Sequence, residues 1–136
     1  MAAERPARAD LFFLAAGTGI VLGAIVVVIA GSAGQPSVGR LGLNRIGQFL
    51  FAAGFGFGAL YHRVLGHGLQ AAGFVLLAAG WALLFADWLL VPLLGRGLFT
   101  LIIAVLALGG ALVVLGIIGD AERLREAVPP GVRPGD

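Results

Sequence analysis

The chain has 136 residues, 60% of them apolar and only 12% charged, with a mean hydropathy of +1.03. That is too little charge to cover a soluble domain of this length, so composition places the chain in the membrane class. Its net charge of +2 comes from nine arginines scattered over loops and ends, which excludes a concentrated nucleic-acid patch; the absence of cysteine excludes disulfides, thiolate metal sites, thiol nucleophiles and lipidated cysteines.

The first ten residues are polar and carry Arg5 and Arg8 ahead of residues 11–30, a run of twenty without a charge. As a helix that run is about 30 Å long, the thickness of a bilayer's hydrocarbon core. The arrangement resembles a secretory signal, with small residues at Ala30-Gly31-Ser32. A signal's apolar region is usually shorter than this one, so a retained first span is expected. Thr18 is the one polar side chain near its middle.

Residues 31–42, rich in glycine and serine, read as the longest loop. A second span covers 43–61; it needs the polar Asn44 and Arg45 to reach across, with Arg45 snorkelling to the interface. Tyr61-His62-Arg63 marks the next water boundary. A third span covers 69–91, carries Trp81, Asp87 and Trp88, and is expected to stop before Pro92. Pro92–Gly97 reads as a tight turn into a fourth span at 98–119. Asp120 is an expected N-cap for a short amphipathic helix ended by Pro129-Pro130, followed by a frayed tail.

Barrel strands would show inside-outside alternation, which is missing; long unbroken apolar runs are helical, because a helix satisfies its own backbone in lipid. Short connections make chain neighbours antiparallel. The expected architecture is therefore all-α: an up-down bundle of four transmembrane helices over residues 1–119, then a cytoplasmic helix and tail over 120–136. Arg5, Arg8, Arg63, Arg123, Arg125 and Arg133 fall on one side, and Arg40, Arg45 and Arg96 on the other. By the positive-inside rule both termini are cytoplasmic in a multi-pass protein of the cell membrane.

Glycine supplies the packing signal. Gly19-x-x-x-Gly23 and Gly54-x-x-x-Gly58 put small residues on one helix face, and Gly73 with Gly80, and Gly109 with Gly116, repeat at seven. Such faces let backbones approach closely in lipid, either within the chain or in a homo-oligomer or complex with a larger membrane partner.

The candidate polar cluster is Asn44, Arg45, Gln48, Asp87 and Arg96. Antiparallel topology brings the start of the second span and the end of the third to the same face. An acid near a span end is expensive, so Asp87 either pairs with Arg45 or Arg96 to tie helix ends together, or marks the mouth of a polar pathway. No run of polar residues continues such a path inward. His62 and His67, five apart around one connection, read as solvated interfacial histidines, poorly placed for haem or a metal. Enzyme motifs, cofactor fingerprints and metal-ligand spacings are missing. The expectation is a structural or accessory membrane protein without catalysis; the alternative is a small transporter or channel whose pore forms by homo-oligomerisation.

Overall fold

The computed structural model describes residues 7–33, 37–38 and 41–127. Arg5, Arg40, Arg133, Pro129-Pro130 and the rest of the tail lie outside the described residues. Five helices dominate: α1 (Ala7–Ser32), α2 (Leu43–Val64), α3 (Gly68–Phe85), α4 (Asp87–Leu94) and α5 (Gly97–Ala127). Between α1 and α2, β1 (Ser37–Val38) and β2 (Leu41–Gly42) form a two-residue antiparallel ladder, pairing Ser37 with Gly42 and Val38 with Leu41. Three helical stretches, Arg8–Ser32, Gly68–Phe85 and Gly97–Ala127, are long and apolar enough to cross a membrane. That is the pattern of a multi-pass helical membrane protein.

Two boundaries differ from expectation. The third apolar run is broken at Ala86, so that Asp87 opens a separate α4, and this helix continues through Pro92. Aspartate disfavours a helix interior but suits a first turn, where exposed amide dipoles attract a carboxylate. The chain reverses later, at Gly95, whose φ of +55° is one that glycine adopts without penalty. The separate helix expected after Gly119 is instead the last two turns of α5, which runs unbroken for 31 residues, about 46 Å. Gly119 costs about 1 kcal/mol inside a helix, too little to break it. Asp120 does not cap a new helix; it makes a contact across to α3.

Each long helix packs on its chain neighbour: α1 on α2, α2 on α3, and α3 on α5. Among the described residues no comparable interface joins α1 to α5, so these helices form an open row rather than a closed bundle. The outer face of α1 shows why closure gains little. It exposes Leu14, Val21, Ile25 and Val28, side chains that lipid solvates as well as protein does.

The glycine faces make the joints of the row. Gly19 and Gly23 of α1 meet Gly54 and Gly47 of α2, backbone against backbone; a methyl group on Gly54 would lie 2.8 Å from the Ile20 nitrogen. Gly73 of α3 meets Gly109 of α5 in the same manner, where a methyl group would lie 2.7 Å from the Gly109 carbonyl oxygen. The Gly54/Gly58 pair does not act as one face. Gly54 serves α1, while Gly58 makes room for Phe74 of α3. Since 3.6 residues make a turn, a four-residue step rotates by about 40° around the helix, enough on a helix flanked on both sides to direct the two glycines to different neighbours.

Candidate functional site

Among the described residues, the side-chain ion pairs sit at opposite ends of the helices. At the first end the break between α3 and α4 strips the Phe85 carbonyl of its helical donor, because the Leu89 amide turns to Ala86 instead. Arg45, in the first turn of α2, fills that vacancy: its Nη1 donates to the Phe85 oxygen at 2.8 Å. Its Nη2 lies 3.0 Å from Asp87 Oδ1. The N–H bonds do not align with that oxygen, so the contact is a charge pair rather than a hydrogen bond. With 30% and 44% of the two side chains exposed, solvent screening leaves it modest.

The rest of the sequence-derived cluster is only partly gathered. Arg96 is exposed and lines a shallow pocket with Asp87, Val91 and Phe99, without an ion pair to Asp87 within 4 Å. Gln48 lies a turn beyond Arg45, half-buried, and its Oε1 is enclosed without a hydrogen-bond partner. Asn44 is half-buried at the start of α2. One guanidinium thus ties α2 to the α3–α4 junction, and among the described residues no hydrogen bond or ion pair brings Asn44, Gln48 or Arg96 into that contact.

The second end was not apparent from motifs. Gln70, in the first turn of α3, is 5% exposed and donates from Nε2 to Asp120 Oδ2 of α5 at 2.9 Å. Gly116 makes this possible, since a methyl group there would collide with the Gln70 side chain. His67 Nε2 stands 3.9 Å from the same carboxylate oxygen. His62 and His67 are half-buried rather than fully solvated, with ring centroids 5.9 Å apart and enclosed Nδ1 atoms. His62 lies beyond the apolar stretch 43–61. Its pKa is lowered, first by burial and then by His67, with Asp120 opposing. Among the described residues no three His, Cys, Asp or Glu side chains converge as a metal site. The signal that could have found this end is pairing by topology: Gln70 and Asp120 occupy facing ends of antiparallel apolar helices.

Between the ends lies an aromatic ladder. Trp81 stacks on Phe51 at 4.4 Å, Phe51 neighbours Phe55 at 6.1 Å, Phe55 meets Phe74 at 5.9 Å, and Phe74 meets His62 at 4.9 Å. Offset stacking and edge contacts of this kind favour a fixed geometry between α2 and α3. The spacings of four (Phe51, Phe55) and seven (Phe74, Trp81) put each set on one helix face. Comparison of the chain with protein-family models, curated proteins and solved structures gives no match.

Proposed function

We propose that the protein is a structural or accessory component of the cell membrane, crossing it four times and performing no catalysis. The observation that carries this reading is how the polar groups are used. Arg45 is held by Asp87 and the Phe85 carbonyl at one end, and Gln70 by Asp120 at the other. Aromatic and glycine contacts fill the interval, which among the described residues leaves no chain of hydrated groups for an ion to follow.

The fourth crossing is residues 43–61 of α2. As a helix they are about 28 Å long, α2 is flanked by α1 and α3, Arg45 lies near one end of the crossing and Arg63 just beyond the other. With four crossings, Arg8, Arg63, Arg123 and Arg125 face the cytoplasm against Arg45 and Arg96, and both termini are cytoplasmic.

The cysteine-free chain permits a direct topology test. Ser32→Cys and Arg63→Cys should react with a membrane-impermeant thiol reagent from opposite sides; labelling from the same side removes α2 as a span. The functional reading is tested by reconstitution into vesicles with a fluorescent proton and cation indicator. Flux equal to protein-free vesicles is expected. Flux that Asp87→Asn abolishes would replace this reading with an oligomeric channel, and a ring-sized particle mass in mild detergent would accompany it.

A further inference from the structure

The Gln70–Asp120 end carries more than a helix tie, because it borders an open cleft of about 230 Å³. Its polar lining is His67, Gln70, Asp120 and Arg123. Gly66, Gly68 and Gly119 border it, and a methyl group on any of them would meet nothing within 4 Å.

The lining holds two opposite charges. Asp120 commits Oδ2 to Gln70, which leaves its other oxygen for a ligand. Arg123 lies three residues further along α5 and is exposed, so acid and guanidinium stand one above the other on a helix face. No salt bridge joins them among the described residues. The same cleft is also lined by Leu69 and Leu115, exposed at 48% and 55%. A site with charges on one side and exposed apolar side chains on the other suits a molecule built the same way.

We propose that this cleft seats the zwitterionic phosphoethanolamine headgroup of a membrane lipid, with the phosphate on Arg123, the ammonium on Asp120, and the acyl chains passing over Leu69 and Leu115. Guanidinium–phosphate contacts are charge-assisted and directional, and a short two-carbon spacer matches charges one helical turn apart. The assignment rests on the membrane reading of α3 and α5. The chemistry it names is an aminoalkyl phosphate; the exposed leucines favour the lipid as its source.

The test is native mass spectrometry of the detergent-solubilised full chain, titrated with short-chain phosphatidylethanolamine or phosphatidylglycerol. One phosphatidylethanolamine should be retained per chain, about tenfold more tightly than phosphatidylglycerol, the scale of one charge-assisted contact. Arg123→Gln and Gly119→Phe should each weaken retention by about tenfold, the first by removing the phosphate partner and the second by filling the cleft. Asp120→Asn should erase the preference between the two lipids. Equal retention of both lipids by the unaltered chain, or retention unchanged in Arg123→Gln and Gly119→Phe, overturns the site. Competition by O-phosphoethanolamine as strong as that of the lipid overturns the lipid assignment in favour of a free aminoalkyl phosphate. The cysteine-labelling experiment on α2 reads the membrane topology separately, so failure of one reading is not mistaken for failure of the other.

Discussion

The interface between α1 and α2 and the one between α2 and α3 solve the same problem with different emphasis: the first has glycine at its middle and the Phe12–Phe57 and Phe13–Tyr61 pairs toward one end, the second is mainly rings, with Gly58 making room for Phe74. On the α1 side, Gly19, Gly23, Gly47 and Gly54 remove side chains altogether and bring backbones into contact. On the α3 side, Phe51, Phe55, Phe74 and Trp81 fill the space with stacked rings. Lipid tails are as apolar as either surface, so neither joint is driven by escape from water; both depend on better van der Waals contact than lipid offers. The difference lies in tolerance. A ring can tilt, whereas a backbone in contact with another backbone cannot give way.

The largest effect should therefore come from adding one carbon at a glycine joint. Gly54→Ala and Gly73→Ala place a methyl group 2.8 Å and 2.7 Å from backbone atoms, and each should lower stability by about 2 kcal/mol or more, read as the Tm in detergent. Gly56 and Gly110 sharpen the comparison, because a methyl group there meets nothing within 4 Å. Their alanine variants should stay within about 1 kcal/mol of the parent, on the stable side if helix propensity decides.

Next in size is the aromatic joint. Phe51→Ala should cost about 1–2 kcal/mol, the stacking and dispersion with Trp81, since lipid can occupy the vacated space. A loss equal to that of Gly54→Ala would erase the distinction between rigid and yielding joints.

Smaller still is the Arg45–Asp87 coupling. A double-mutant cycle with Arg45→Ala and Asp87→Asn should give about 0.5–1 kcal/mol, limited by partial exposure of both side chains. A coupling near zero would leave Arg45 acting through the Phe85 carbonyl alone.

The smallest effect is a pH slope at the opposite end. The folded protein holds the His62 pKa below its ordinary value of 6.5, so the neutral ring is the form that folding favours. Its contribution is fully present above pH 6.5 and is lost as pH falls below that value toward the folded pKa. Tm should decline across that window in the parent and flatten in His62→Gln. A Tm that holds steady or rises across that window, or a slope unchanged in His62→Gln, would overturn this assignment.

What sequence could reveal depended on whether a property was local. Hydropathy runs marked the long helices, since twenty uncharged residues need no partner to be recognised as able to span a bilayer. Spacing also marked Gly19, Gly23 and Gly54 as close-packing positions. It could not say that Gly58 turns to a different helix, because a motif records spacing and not which neighbour stands where. Asp87 stood out as an acid in an apolar run, and its contact with Arg45 follows from antiparallel ends. The break at Ala86 did not stand out, because local propensity there is ordinary and the stray Phe85 carbonyl is satisfied by a guanidinium 40 residues away in sequence.

Composition and hydropathy by themselves determined that this is a helical chain fitted to a membrane, with its charged residues near helix ends. Tertiary structure alone decided that the helices form an open row, that α5 runs unbroken through Gly119, and that Gln70 meets Asp120. The physical reason is distance along the chain. Helix formation is settled within a few turns, whereas contacts between residues 50 apart exist only after the backbones have docked.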